Sequence, residues 1–148
     1  MKTSKSLSLR RILVPIDFSK NARRALRYAI PLAAQFGVRI TMLHVVEPVI
    51  YPTEMAIVVT NEKIAVNASR RHLAELGQKL VPDKLRGKMI VRGAQPYFEI
   101  TEVAREMKSD LIVLTTHGYT GIKRVLLGGT AERIVRHAPC PVLTVRIR

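Results

Sequence analysis

The chain of 148 residues contains one cysteine, no tryptophan and only 5% aromatic residues. A single cysteine, Cys140, excludes an intrachain disulfide and fits a reducing compartment, so we expect a cytoplasmic protein. No apolar run approaches the roughly 20 residues of a membrane-spanning helix, and the polar start of the chain does not resemble a secretory signal. Because hydrophobic residues make up 47% of the chain, it is predicted to fold around an aliphatic core. Cys140 is interpreted as a small buried side chain rather than a reactive thiol.

Acidic residues are also scarce: 11 Asp and Glu stand against 25 Lys and Arg, which gives a formal net charge of +14. Such a surface attracts polyanions through long-range electrostatics. The basic residues are spread along the chain, never more than two in a row and without interleaved aromatic residues. We therefore expect only non-specific, salt-sensitive attraction to nucleic acid. The four histidines are well separated and there is no cysteine pair, so no metal site is predicted.

Apolar periodicity predicts five strands that alternate with four helices. The strands are predicted at residues 10–16, 38–46, 88–93, 110–116 and 141–147. The helices are predicted at 21–37, from 61 to about 80, at 95–110 and at 130–137. Pro31 is expected to bend the first helix. The segment 47–60 has two prolines and no clean period, which indicates a long connection or a mobile lid.

Alternation of strands and helices indicates a parallel sheet that is covered on both faces. Right-handed crossovers then leave few layouts. We predict a doubly wound α/β fold with a five-stranded parallel sheet in the order 3-2-1-4-5, in one domain spanning 1–148 with a flexible segment at 1–9. In this order the winding reverses between the first and fourth strands, which is where open α/β sheets bind ligands. The segments "PIDFS" and "TTHGYTG" are predicted to meet there.

The stretch "LTTHGYTGIKRVLLGGTAERI", residues 114–134, is rich in glycine and leads into the last helix. Glycines before a helix N-terminus leave backbone N–H groups and the positive end of the helix dipole open to an anion. Thr130 is predicted either to cap that helix or to donate its hydroxyl to a phosphate. Lys123 and Arg124 add positive charge nearby, and Asp17 could accept hydrogen bonds from a ribose or a base. This constellation fits a nucleotide, although it is neither a Walker A loop nor a dinucleotide fingerprint.

A simpler interpretation of the same residues stays open. Glycines at a strand-to-helix junction are often only turn residues. Asp17 would then help to start a helix beside Ser19, and His117 would pack against the loop. His44 lies inside a predicted strand and is expected to be buried and hydrogen-bonded, whereas His72 lies at the edge of an apolar helical face.

Three blocks of the sequence resemble the universal stress protein family: "ILVPIDFS", "LHVVEP" and "DLIVLTTHGYTGIKRVLLGGTAERIVRHAPCPVLTV". They occur in the family's order and span nearly the whole chain. The resemblance implies a Rossmann-like fold with helices on both faces, a homodimer and a cytoplasmic, stress-linked role.

Some members of this family bind ATP through the pattern G-x-x-G, nine residues, then G followed by Ser or Thr. The chain departs from the pattern at two positions: Thr115 replaces the first glycine, and Gly129 stands where the hydroxyl residue is expected, with Thr130 one place later. The resemblance also implies that Asp17 contacts the ribose and that Val45 lines the adenine pocket. The implied site for ATP, with or without Mg²⁺, consists of Asp17, Val45, Thr115, His117, Gly118, Gly128, Gly129 and Thr130.

Three functions are therefore compatible with the sequence: a nucleotide-binding regulatory module, a nucleotide-independent stress or interaction protein, and a slow nucleotide hydrolase. No catalytic pair or triad can be assigned from spacing, so an enzyme is the least favoured of the three.

The last strand, "PVLTVRIR", is predicted to lie at the edge of the sheet. An apolar edge strand invites pairing with a second chain, and two copies related by a two-fold axis would cover both edges. Val142, Leu143 and Val145 are expected to supply the apolar contact. The sequence does not determine whether Thr144 or Val145 directs its N–H outward.

Overall fold

The computed structural model describes residues 7–48, 50–53, 56–59, 62–116 and 127–146. The described strands are β1 (Arg11–Pro15), β2 (Arg39–Val46), β3 (Ile50–Thr53), β4 (Ala56–Val59), β5 (Arg86–Gly93), β6 (Leu111–Thr115) and β7 (Val142–Val145). Five of them form a parallel sheet in the order β5-β2-β1-β6-β7. This is the predicted 3-2-1-4-5 order, with the reversal between β1 and β6.

The described helices are α1 (Lys20–Phe36), α2 (Glu62–Leu80), α3 (Pro96–Glu106) and α4 (Gly129–His137), and a single 3₁₀ turn spans Asp83–Leu85. In the described part of the chain, no helix is both long and apolar enough to cross a membrane.

The sheet separates two apolar layers, because successive side chains of a strand point to opposite faces. On β1, Ile12 and Val14 face a layer that also contains buried residues of α1 and α2. Leu13 faces the other layer, with buried residues of α3 and α4. Helices therefore cover both faces, as predicted, and the inner strands are apolar on both sides.

Local signals explain the limits of α1. Ser19 is extended (φ −69°, ψ 159°) and its hydroxyl accepts a hydrogen bond from the Ala22 N–H, so it caps the N-terminus. Gly37 ends the helix in the left-handed region (φ 63°), where glycine is favoured, and its N–H bonds the carbonyls of the last turn. Pro31 lies inside the helix, which nevertheless continues to Phe36.

The middle of the chain differs from the sequence expectations in two respects. The segment 47–60, predicted as a long connection or a mobile lid, contains β3 and β4, which pair antiparallel and form a two-stranded sheet of their own. The sequence predicts an apolar face of α2 that runs from Ile64 to Leu80, but Ile64 is 66% exposed, and the helix contributes Leu73 and Leu76 to the core. The core contact of α2 is thus made by its second half.

Candidate functional site

A cavity of about 660 Å³ opens at the carboxyl ends of β1, β2 and β6. It lies where the sheet order reverses, which is the ligand-binding position of open α/β sheets. Six of the eight residues predicted for the site line this one cavity: Asp17, Val45, Thr115, Gly128, Gly129 and Thr130. The other two, His117 and Gly118, lie outside the described residues, as do Lys123 and Arg124.

Asp17 lies two residues after β1 and makes contacts on two sides. Its Oδ1 accepts a hydrogen bond from the Ser19 backbone N–H at 2.9 Å and another from the Ser19 hydroxyl at 2.5 Å. The Ser19 hydroxyl in turn accepts from the Ala22 N–H at 3.1 Å. Asp17 therefore holds the cap of α1 in place while it lines the cavity, so the helix-start interpretation and the site interpretation are compatible.

The N-terminus of α4 also opens on the cavity. Gly128 is the N-cap residue and provides no side-chain hydrogen bond. Its N–H donates to the Thr116 carbonyl at 2.7 Å, and its own carbonyl accepts from the Glu132 N–H at 2.8 Å. The N–H groups of residues 129–131, which come before Glu132, have no acceptor within the helix. All three residues line the cavity, so these donors are available to an anion.

The capping role predicted for Thr130 was wrong. The helix begins one residue earlier, at Gly129, and Gly128 takes the N-cap position. The physical reason is the bond between Gly128 and Thr116, which fixes the entry of the chain into α4. Thr130 is exposed and lines the cavity at the first turn of α4.

The two adjacent glycines differ in the space around them. A Cβ atom on Gly128 would lie 3.0 Å from the Thr116 carbonyl oxygen, whereas a Cβ atom on Gly129 would have no heavy atom within 4 Å. The close approach of two backbone segments therefore favours glycine at position 128. Gly129 lines the cavity at the start of α4 and has room for a side chain.

His44 is a cavity residue that the sequence did not suggest for the site. Its Nδ1 lies 2.6 Å from the Ile16 carbonyl oxygen; since that oxygen can only accept, Nδ1 donates. Burial lowers the pKa of His44 below its usual value, and the charge of His72 lowers it further. The hydrogen bond to Ile16 and the charge of Asp17 act in the opposite direction. The prediction that His44 is hydrogen-bonded in a strand is confirmed, although it is only partly buried.

Phe18 packs its ring against the rings of both His44 and His72. Its ring lies 4.0 Å from that of His72 in a stacked arrangement and 4.3 Å from that of His44. Its backbone adopts φ 61°, which is uncommon for a large side chain. Nothing in the spacing of the sequence indicated this contact, because the three residues come from three different elements.

Glu47 and Pro96 also line the cavity and were not predicted. Their position directly after β2 and at the start of α3, at the same edge of the sheet, is a signal that could have found them. Among the described side chains, no group of three or more His, Cys, Asp or Glu residues is placed to hold a metal ion. The described lining therefore combines the backbone donors at the start of α4 with the carboxylates of Asp17 and Glu47.

Known proteins of similar sequence and structure share this fold. The family model of the universal stress protein family matches residues 8–146. The chain is 33% identical to universal stress protein MJ0531 of Methanocaldococcus jannaschii over 93% of this chain and 82% of that protein. Among solved structures, the universal stress protein UspA from Lactobacillus plantarum is 28% identical, with a TM-score of 0.75 over 95% of this chain and 99% of that one.

A universal stress protein solved in complex with cAMP has the same fold, with a TM-score of 0.66 and 20% identity over 95% of this chain and 98% of that one. Fold, sheet order and sequence similarity lead to one conclusion: the chain belongs to the universal stress protein family.

Proposed function

We propose that the cavity binds an adenine nucleotide, ATP, and that the protein acts as a nucleotide-binding regulatory module in the stress response. The observation that carries the proposal is the uncapped N-terminus of α4, which opens into a cavity of about 660 Å³ at the reversal of the sheet. This volume lies within the range of about 300–1,000 Å³ that is typical of small-molecule sites. A protein of the same fold in complex with cAMP supports the choice of an adenine nucleotide.

In this proposal each part of the cavity recognises one part of the nucleotide. The free N–H groups of residues 129–131 bind the phosphates, which the helix dipole also favours. Asp17 accepts hydrogen bonds from the ribose hydroxyls, and Val45 forms an apolar wall for the base. The Thr130 hydroxyl replaces the one that Gly129 lacks. His117 and Gly118 complete the proposed phosphate loop, and Mg²⁺ would enter with the phosphates as their counter-ion.

We propose binding rather than efficient turnover. Of the groups that line the cavity, Asp17 is engaged with Ser19 and His44 donates its Nδ1 proton to a backbone carbonyl. His44 keeps Nε2 as an acceptor, but in the described part of the chain neither group is hydrogen-bonded to a nucleophile that lines the cavity. The nucleotide then acts as a switch whose presence alters the surface around the cavity. Release of phosphate from ATP by the purified protein would instead favour slow hydrolysis.

Mass spectrometry of nucleotide released from the denatured purified protein, followed by calorimetry with ATP and Mg²⁺, tests the proposal. ATP at about 100 times its dissociation constant should raise the free energy of unfolding by about 2.7 kcal/mol. A native chain that releases no nucleotide and shows neither heat nor a thermal shift with millimolar ATP would leave the nucleotide-independent role in its place.

The site is tested with a pair of variants at Gly129, where the backbone has room for a side chain. The carboxylate of Gly129→Asp should suit the start of α4 but repel the phosphates, so ATP binding should be lost. The neutral variant of the same shape, Gly129→Asn, should keep most of the affinity. Equal binding by the two variants would show that the phosphates do not lie at this helix.

We also propose that two copies form a cytoplasmic homodimer through β7, which is the last strand of the five-stranded sheet. Within its own chain, the Pro141 carbonyl accepts a hydrogen bond from Ile112 of β6 at 3.0 Å, and the Val145 carbonyl accepts one from Thr116, just after β6, at 3.1 Å. The N–H and C=O groups of successive residues in a strand point to opposite sides. Because the carbonyls of Pro141 and Val145 point to β6, the N–H groups of Val142 and Thr144 point to the open edge. Val145 is only 5% exposed and belongs to the core, whereas Leu143 is 36% exposed and is the apolar side chain available to a partner.

A further inference from the structure

Helix α1 carries four basic residues and no acidic one between Lys20 and Phe36. The basic residues are Lys20, Arg23, Arg24 and Arg27, and we refer to them as the basic stripe. The sequence suggested that positive charge is evenly dispersed. The fold concentrates it, because α1 shares its face of the sheet with α2, which has four basic and two acidic residues. On the opposite face, α3 and α4 together have four acidic and three basic residues.

The basic stripe follows helical spacing and lies away from the core. Its members are at positions i, i+3, i+4 and i+7, which fall on one side of a helix. Ala25, Leu26 and Ala29, on the other side, are at most 1% exposed. Lys20, Arg23 and Arg27 are exposed, and Arg24 is partly exposed. From the first to the last cation, the stripe extends about 10 Å along the axis.

The charges of the basic stripe are unfavourable for α1 on its own. The first turn has no acidic residue, so its cations lie at the positive end of the helix dipole. Two pairs of like charge also stand four residues apart, Lys20 with Arg24 and Arg23 with Arg27, which destabilises a helix. An anion bound along the stripe would offset both the unfavourable interaction with the helix dipole and the repulsion between the like charges.

Among the residues that the structure describes, no ion pair compensates these charges. The ion pairs of the described residues all lie outside α1 and α2, and they join Asp83 to Arg86, Arg92 to Glu106, Glu102 to Arg105, and Glu132 to Arg136. The protein therefore pairs cations with carboxylates elsewhere and leaves this helix positive.

We propose that the basic stripe binds the phosphate backbone of a nucleic-acid duplex without sequence preference. Duplex DNA carries one phosphate charge per about 1.7 Å of its axis, both strands counted, so a stripe of about 10 Å lies within reach of several phosphates. An anionic membrane fits less well, because the apolar side of α1 is buried against the sheet and has nothing to insert. The duplex also provides a rigid row of charges that matches a rigid helix.

Two triple variants with the same change in net charge test the proposal. The first, Arg23→Gln with Arg24→Gln and Arg27→Gln, neutralises the basic stripe. The second, Arg10→Gln with Arg39→Gln and Lys108→Gln, neutralises exposed cations near the amino ends of the strands. Each lowers the formal net charge by three from +14. Binding to a fluorescent DNA duplex of about 20 base pairs and mixed sequence is measured by anisotropy over a range of salt concentrations, with circular dichroism to confirm folding.

For the native chain, the logarithm of the binding constant should fall linearly with the logarithm of salt concentration. Neutralising the stripe should reduce the magnitude of that slope by about 2.7, since each lost phosphate contact contributes about 0.9. The control triple should keep the native slope. Binding should also survive Gly129→Asp, which separates this surface from the nucleotide cavity.

Three results would overturn the proposal. The first is an equal loss of DNA affinity in both triple variants, which would mean diffuse attraction by net charge, and the second is absence of DNA binding by the native chain at low salt. The third is binding to vesicles of anionic lipid that is tighter than binding to DNA and equally dependent on the stripe. An unrelated duplex sequence bound with the same affinity would support it, because phosphate contacts carry no base information.

Discussion

Gly128 and Gly129 are neighbours in sequence but should respond in opposite ways to an added methyl group. Gly128→Ala places a Cβ atom 3.0 Å from a backbone oxygen of Thr116 that cannot easily move, so we expect a loss of about 1–3 kcal/mol in the free energy of unfolding. Gly129→Ala meets open space at the start of α4 and should be neutral or raise that free energy by up to about 1 kcal/mol. Urea unfolding without nucleotide measures both, and similar effects at the two positions would contradict the packing described for Gly128.

His44 should make the stability of the protein depend on pH. Burial lowers its pKa in the folded state, so the unfolded chain binds a proton more readily than the folded one. The free energy of unfolding should therefore fall as pH decreases through about 6.5 and level off below the folded pKa. Chemical denaturation at a series of pH values between about 8 and 5 measures this step.

Two substitutions test whether His44 causes this fall in the free energy of unfolding with decreasing pH. His44→Gln should remove it, whereas His137→Gln, at the exposed end of α4, should leave it in place. An unchanged pH profile in His44→Gln would show that another group is responsible.

At the scale of single elements, the cap of α1 is the best test of how the site is supported. Ser19→Ala removes the oxygen that accepts from the Ala22 N–H and the hydroxyl that donates to Asp17. We expect the free energy of unfolding to fall by about 1 kcal/mol. Ser8→Ala, at an exposed residue before β1, is the control and should change little. Equal urea midpoints for the two variants would mean that the cap contributes nothing.

The elements also show where sequence patterns are sufficient. The inner strands were predictable, because burial on both faces requires continuous aliphatic runs such as "LIVLT" in β6. The hairpin of β3 and β4 was missed, since a two-stranded sheet outside the main one leaves no strong alternation and includes Pro52. Ile64 was misassigned because helical periodicity identifies a face but not how far along the helix the core extends.

At the scale of the whole molecule, the proposed dimer depends on the backbone of one residue. Thr144→Pro removes an outward N–H and leaves the bonds to β6 intact, so it should give a folded monomer. Thr144→Ala retains the N–H and should remain a dimer. Sedimentation over a range of concentrations measures both. A native chain that stays monomeric at every concentration would rule the dimer out.

The position of the cavity could be predicted from topology alone, because the order of five parallel strands determines where the winding reverses. The resemblance to a family then indicated six residues that the structure brings to one cavity, among them Asp17, Val45 and Gly129. The contact between Phe18, His44 and His72 could not be predicted, since it depends on how three elements meet in space. For the same reason, the segregation of charge between the two faces became visible only once the helices were assigned to faces.

The central position of β1 has a consequence for synthesis. This strand leaves the ribosome before its neighbour β6, which begins about 100 residues later, as the bond between Arg10 and Asp110 illustrates. At a translation rate of about 5–20 residues per second, β1 waits roughly 5 to 20 s for that partner. Ile12 and Leu13, at most 1% exposed in the folded chain, meanwhile stand along an unpaired edge. The speed of translation therefore determines how long each nascent chain is open to aggregation.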